Sequence, residues 1–353
     1  MIDQKFWQGK RVFLTGHTGF KGSWLSMWLF SLGAEVKGYA LNPRTSPSLF
    51  NEAEVSSIIN SQIGDIRDQD TLYKSMTAFN PDILIHMAAQ PLVRYSYAAP
   101  IETYEVNVIG TAKVLEVARS CQNLKAIVNI TTDKCYENDG RSEGYKENDP
   151  VGGFDPYSSS KGCAELVASA YSRSFLYEKG IGVASARAGN VIGGGDWADD
   201  RLIPDILRCF EKNESVIIRN PQATRPWQHV LEPLAGYLIL AQKLYEKQRK
   251  YSESWNFGPN EKDVKSVDWI LDWMILKWPN SSWELDPNFS PHEADFLKLD
   301  ISKAKSKLGW HPVWELSKTL EKIIIWHHAW LKKEDMLSAC FNEIREYTKD
   351  MKK

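Results

Sequence analysis

Three glycines spaced three apart, set between a strand and a helix, constrain this chain more than any other feature. Lys10 to Leu14 reads as a short apolar strand and runs straight into Thr15-Gly-His-Thr-Gly-Phe-Lys-Gly22. The pattern then predicts a helix from Ser23 to Leu32, stopped by Gly33, and a second strand from Glu35 to Ala40. Strand, glycine loop, helix and strand form the first unit of a dinucleotide-binding fold. The glycines permit a tight turn and a close approach of backbone amides to a pyrophosphate. The helix N-terminus then favours the negative charge. The candidate cofactor residues here are Gly16, His17, Thr18, Gly19, Phe20, Lys21 and Gly22. At the end of the second strand, Ala40-Leu-Asn-Pro-Arg44 has no acid for a ribose 2′-hydroxyl, and Arg44 is near enough for a 2′-phosphate. This segment alone leaves NAD against NADP open.

The same alternation continues. In Gly64-Asp-Ile-Arg-Asp68, the Asp65 carboxylate and the Ile66 amide suit an adenine edge, with a helix cap an equal reading. Pro81 to Met87 is the fourth strand and ends in Ala88, Ala89 and Gln90, where a cofactor could approach the backbone. His86 within it reads as a packed core histidine. Glu102 to Ser120 reads as a helix in which Asn107 makes a structural hydrogen bond. Ala126 to Ile130 and Ile181 to Arg187 are further strands. Together they give an α/β fold, a Rossmann-type doubly wound parallel sheet. Residues 1–187 form the expected dinucleotide domain, with a return at 228–258 that includes an edge strand at Asn256 to Pro259. Residues 188–353 form mainly a smaller mixed unit, with helices at Val264 to Lys277 and Leu316 to Lys332.

Between the fifth and sixth strands lies Thr131-Thr-Asp-Lys-Cys-Tyr136, a polar loop, and Pro156-Tyr-Ser-Ser-Ser-Lys161. An Ala-rich helical run follows, Gly162 to Phe175. Tyr157 and Lys161 are four apart, hence one turn apart on one helical face. A lysine ammonium beside a phenol favours the phenolate, which makes Tyr157 a usable base. Thr132, just past a strand end, is placed to donate a hydrogen bond to the same substrate oxygen. The dinucleotide loop upstream lifts this pair above an ordinary exposed helix pair. Further on, Arg187, Asn190, Arg201, Arg219 and Arg225 crowd a region beyond a strand end, where guanidinium forks grip phosphate.

The 353 residues carry a formal charge of -2, which gives no basic footprint for nucleic acid or a membrane surface. The first residues are polar and no apolar run reaches membrane length. The five cysteines are scattered, odd in number and without Cys-x-x-Cys spacing, so they read as reduced thiols in a cytoplasmic protein. Cys135 and Cys163 flank the central stretch as packing residues. His327 and His328 are adjacent and face different ways, and no cluster has metal-ligand spacing.

With these motifs in place, the chain resembles an extended short-chain dehydrogenase/reductase over nearly its whole length, and within that group the nucleotide-sugar 4,6-dehydratases. The carriers are Thr15 to Leu25, Thr131 to Tyr136, Tyr157 to Lys161, Ala186 to Trp197 and Arg225 to Val230. Related dehydratases typically read Thr-Asp-Glu where this chain reads Thr132-Asp133-Lys134, and that departure resembles the branch acting on CDP-glucose. The resemblance implies a tightly held NAD, CDP-glucose as substrate, a cytoplasmic homo-oligomer (dimer or tetramer) and a role in deoxysugars for surface polysaccharide such as lipopolysaccharide O-antigen. It implies a closed redox cycle: oxidation at C4, loss of water across C5 and C6, and reduction at C6. Tyr157 is then the base at the C4 hydroxyl, helped by Thr132 and Lys161. Asp133 is the proton donor to the leaving water, with a cap on the turn as its bland alternative. Lys134 is either a desolvated C5 base or a charged stabiliser of the enolate oxygen. Asn190, Arg201 and Arg225 are expected to hold the nucleotide diphosphate, with Arg94, Arg219 and His229 as further substrate residues. Two alternatives stay open: an epimerase or dehydratase for another nucleotide sugar on the same fold, and a non-enzymatic dinucleotide-sensing regulator.

Overall fold

The computed structural model describes residues 2–286 and 297–353. Its centre is a seven-stranded, wholly parallel sheet: β1 Arg11–Thr15, β2 Glu35–Ala40, β3 Asn60–Ile63, β4 Ile83–His86, β5 Ala126–Ile130, β6 Gly182–Ala188 and β7 Ser254–Phe257. Across the sheet the order is β7-β6-β5-β4-β1-β2-β3. The chain order reverses between β1 and β4, the switch point where such sheets hold ligands beyond the strand carboxyl ends. The central strands are apolar on both faces, as a sheet covered by helices requires. Val12, Leu14, Ile83, Ile85 and Val128 enter one core, and Phe13, Leu84 and Ile127 enter the other.

Helix α1, Phe20–Ser31, starts inside the glycine loop, three residues earlier than the expected Ser23, so Gly22 belongs to its first turn. Helix α2, Pro156–Tyr171, likewise starts before Gly162. Asp155 caps it by accepting from the Ser158 amide at 2.9 Å, and Pro156 occupies the first turn, a pre-organised start. Between β4 and β5 the helical path is Pro100–Tyr104, a π-helical Glu105–Gly110 and Thr111–Ala118.

The segment from 188 onward builds a third apolar cluster from Ile206, Phe210, Ile270, Leu320 and their neighbours. Helix α3, Leu231–Lys247, leaves that region and packs on β5 and β6. β7 follows as the sheet edge, starting two residues before the expected Asn256. The segment read as one helix from Val264 opens instead as a strand, Val264–Ser266, paired with Thr224–Pro226; the helix is Val267–Ile275.

Candidate active site

The loops after β1, β3, β4, β5 and β6, at the carboxyl edge of the sheet, carry many of the candidate groups. The turn after β1 is sterically fixed. Gly16 has φ +81°, and a Cβ there would stand 2.7 Å from the Ala88 amide; one on Gly22 would stand 2.1 Å from the Gly16 carbonyl. No side chain caps α1, so its first-turn amides face outward past Gly19. This cradle fits a dinucleotide pyrophosphate. Thr15 Oγ1 accepts from the Met87 and Ala88 amides at 3.1 Å each, so β1 and β4 present one continuous edge. His86 is a packed core residue: Nδ1 meets Thr15 Oγ1 at 2.7 Å and Nε2 meets Thr111 Oγ1 at 3.0 Å.

Several expected cofactor residues have their side chains engaged within the protein. The His17 ring is buried against Gly38 and meets Ser61 Oγ at 2.7 Å; burial lowers its pKa to about 4, against a backbone bond from Tyr39 that raises it. Thr18 ties the loop to the Leu41 carbonyl. Gln90 is corrected as well. Its side chain is used up by Leu92 and Thr103, and its amide donates to Asn107 Oδ1 at 2.8 Å. Asn107, structural as expected, also donates to Ser160 Oγ on α2 at 2.9 Å. The Asp65 carboxylate takes four bonds from Arg67; burial pushes its pKa up, but Arg67 outweighs this and holds it low. Asp68, not Asp65, caps the next helix. Ile66 is buried, and exposed Arg44 lies over the Tyr95 ring at 5.1 Å. A cavity of about 710 Å³ opens beside the ends of β2 and β3, lined by Asn42, Thr45, Ser46, Asn51 and Ser61 among others and by no cation.

Beyond β5 the expected acid-base groups converge. Thr132 Oγ1 donates to Asp133 Oδ1 at 3.0 Å and accepts from the Lys134 amide at 3.3 Å. Against burial, Thr132 also pulls the pKa of the Tyr157 phenol down. Asp133 is buried and its Oδ2 has no hydrogen-bond partner among the described residues. It presses on Gly189: a Cβ there would sit 1.7 Å from Oδ2. Gly189→Ala should therefore lower turnover roughly 10-fold. That is less than the ~100-fold a 1 Å misplacement can cost, because the carboxylate can swing. Unchanged turnover in this variant would show that the position of Asp133 does not matter.

The expected effect of Lys161 on Tyr157 needs correction. Lys161 Nζ donates to the Ile130 carbonyl at 2.9 Å, and burial lowers its own pKa to about 8. Burial pushes Tyr157 up to about 12, opposed by Thr132 and by Arg201 and reinforced by Asp133. Desolvation outweighs the neighbouring cations here. Lys134 is exposed, so the desolvated setting expected for a C5 base is absent. Lys21, expected from the sequence as a cofactor residue of the glycine loop, brings its amine to this group. Burial, Arg201 and Lys161 lower its pKa to about 7 against the pull of Asp133 and Asp196. A cation in the first turn of a helix opposes the macrodipole, and that misfit was the legible signal.

The arginines do not act as one set. Arg201 bonds Asp196 at 2.8 Å beside Tyr157. Arg187 is turned into the core and paired with Glu165, not on the ligand side. Arg94 forms an exposed pair with Asp200, and Arg219 is exposed at 3.6 Å from Asp286. Arg225 donates to the Thr224 carbonyl, and Asn190, at φ +48°, accepts from the Gln228 amide. His229 is corrected outright: it is fully buried between Trp24 and Trp314, 3.0 Å from Glu343, and cannot reach a ligand. Among the described residues no group of three or more His, Cys, Asp or Glu could hold a metal, and no helix is long and apolar enough to cross a membrane.

Comparison with known proteins places this geometry. A family model described as GDP-mannose 4,6 dehydratase matches residues 13–323. A CDP-glucose 4,6-dehydratase of Salmonella typhimurium is 60% identical, with 98% of each chain covered. The dTDP-glucose 4,6-dehydratase of Bacillus anthracis, solved in complex with NAD, superposes with a TM-score of 0.76 at 20% identity, covering 93% of this chain and 100% of that one. A UDP-glucose 4-epimerase of Thermotoga maritima, solved with UDP-glucose, gives 0.78 at 19%, covering 91% and 99%. At such identities the two structures establish the shared fold, whereas the family model and the Salmonella relative establish kinship: the chain belongs to the GDP-mannose 4,6-dehydratase family of extended short-chain dehydrogenase/reductases.

Proposed function

We propose that this chain dehydrates CDP-D-glucose to CDP-4-dehydro-6-deoxy-D-glucose, using NAD. One observation carries the reading. The Tyr157–Lys161 pair would serve any oxidoreductase of this fold, but buried Asp133, hydrogen-bonded by Thr132, adds the acid that loss of water requires. An epimerase needs no such acid. Bound NAD supplies the acceptor and donor for the hydride that leaves C4 and returns at C6. The Gly16–Gly22 cradle would hold it. Tyr157 takes the proton of the C4 hydroxyl, and Asp133 gives one to the departing C6 oxygen. Exposure removes the basis for a C5 base at Lys134, so the charged, enolate-stabilising role is the one proposed for it. Identity of 60% to the Salmonella protein supports cytosine as the base. Turnover of CDP-, UDP-, dTDP- and GDP-glucose, read as the 4-keto chromophore in alkali, tests this. CDP-glucose should lead; a faster rival nucleotide, or a C4 epimer as product, would overturn it.

The cation-free cavity at the end of β2, with Arg44 drawn to Tyr95, supports NAD over NADP. Protein emptied of cofactor should regain activity with NAD in preference to NADP. The reverse preference would make Arg44 a 2′-phosphate ligand. We also propose a dimer or tetramer. The helices around 100–118 and α2 pack side by side and leave Ile101, Ile109 and Leu166 exposed. Sedimentation equilibrium should give a multiple of the 40.3 kDa chain mass, and a monomer would refute this.

A further inference from the structure

We propose that a buried water, held by Asp133 Oδ2, Gln228 Oε1 and the Tyr237 hydroxyl, orients the carboxyl that protonates the departing C6 oxygen, and that Tyr237 is therefore a positioning residue for the dehydration. The role of Asp133 in this rests on the dehydratase reading; the water site does not. Each of the three atoms is wholly enclosed and has no hydrogen-bond partner among the described residues. Buried polar groups in folded proteins are almost always paired, with protein or with ordered water. Three unpaired ones around a single glycine call for a common partner.

That glycine is Gly189, against which Asp133 lies so closely that a Cβ would stand 1.7 Å from Oδ2. Gln228 reaches the same residue: Nε2 donates to the Gly189 carbonyl at 3.2 Å and to the Phe257 carbonyl at 2.9 Å. Phe257 pairs with Ala188 in the sheet, and the Tyr237 ring meets the Phe257 ring edge-on at 5.6 Å. Tyr237 belongs to α3, which packs on β5 and β6. Burial raises its pKa and the charge of Asp133 adds to this, so the phenol keeps its proton. Counting hydrogens then favours water. Both Gln228 N–H groups are spent on carbonyls, so Oε1 is fixed as an acceptor. Asp133 Oδ1 already accepts from Thr132 at 3.0 Å, and Oδ2 is the second open acceptor. The Tyr237 hydroxyl has one hydrogen for these two. A water gives one hydrogen to Oδ2 and one to Oε1, and accepts from Tyr237. Three bonds to otherwise unpaired buried groups are the usual setting of an internal water. Asp133 keeps the capacity to carry the one proton it hands on. Held at Oδ1 by Thr132 and at Oδ2 by the water, its carboxyl has a set direction of approach to C6.

A crystal structure that resolves waters tests the site without any variant. One water should lie within about 3 Å of all three atoms. A Tyr237 hydroxyl bonded directly to Asp133, or no water there, would overturn the proposal. Tyr237→Phe tests the role, since it keeps the ring against Phe257 and removes only the hydroxyl. The NAD-loaded protein is mixed with CDP-glucose. Oxidation at C4 is seen as the near-ultraviolet absorbance of reduced nicotinamide, which is lost again when C6 is reduced after water has left. With the acid misaligned, the Phe variant should lose about 10-fold in kcat at unchanged KM, and that absorbance should accumulate. In an Asp133→Asn background the same substitution should cost less than about twofold, because its effect passes through Asp133. A merely structural Tyr237 would slow the oxidation as well, build up no absorbance and cost as much in either background. Any of these results, or normal turnover of the Phe variant, would overturn the positioning role. No 4-keto product from the unaltered protein would defeat the dehydratase reading instead, and the crystal result for the water site stands apart from that failure.

Discussion

Tyr157→Phe should cost at least ~100-fold in turnover while leaving the fold intact, the usual scale for removing one general acid-base group. The ring keeps its packing, since only the hydroxyl is removed. Tyr157 also predicts a sign for the pH dependence. Burial pushes the phenol up to about 12, with Thr132 and Arg201 pulling it down and Asp133 pushing it up. In the chain alone it is therefore protonated at neutral pH, and only the deprotonated form can take the C4 proton. Cations make up part of the difference, Arg201 already and the positively charged ring of NAD when bound. Turnover of the unaltered enzyme should rise with pH along an acid limb, and the Phe variant should lose that limb. A variant within threefold of the parent, with an unchanged circular dichroism melt, would remove Tyr157 from the chemistry.

Arg187→Met should destabilise the chain by about 3–5 kcal/mol, the cost of leaving a buried charge without its partner. Arg187 and Glu165 are both almost wholly buried and doubly bonded, with Arg187 Nε to Glu165 Oε1 at 2.7 Å. The same carboxylate accepts from Thr131 Oγ1 at 2.6 Å and from Ser254 Oγ at 3.1 Å, and Arg187 donates to Tyr136 at 2.6 Å. Glu165 lies one turn beyond Lys161 on α2, while Thr131 and Tyr136 bracket the Thr132–Lys134 turn. The pair therefore clamps the two segments that carry the acid-base groups. Adding Glu165→Leu to Arg187→Met should recover most of the loss, since an apolar replacement of a whole buried pair is often neutral or better. Denaturant midpoints at constant slope measure both. A single variant that loses under 1 kcal/mol would show that the pair is not a structural clamp.

The route from residues to fold was largely readable because its causes are local. A strand followed by closely spaced glycines and a helix leaves one backbone solution, and Asp155-Pro156 starts the helix on which Tyr157 and Lys161 share a face. Periodicity likewise placed the seven strands, while helix starts at Phe20 and Pro156 and the strand Val264–Ser266, read as helix, escaped it. The roles of single side chains were less readable. Gln90 looked like a cofactor contact until Asn107 and Thr103 consumed it, and His229 until Glu343 and two tryptophans enclosed it. Arg187 read as a phosphate grip, and Lys21 as a cofactor contact only. Thus the sequence by itself determined the parallel sheet, the dinucleotide turn and the Tyr157–Lys161 pair, all products of backbone preferences and near-neighbour spacing. Only the tertiary structure decided which charges are buried and which are matched. Desolvation and ion pairing are set by groups far apart in the chain, such as Glu165 with Arg187, whose meeting no local pattern encodes.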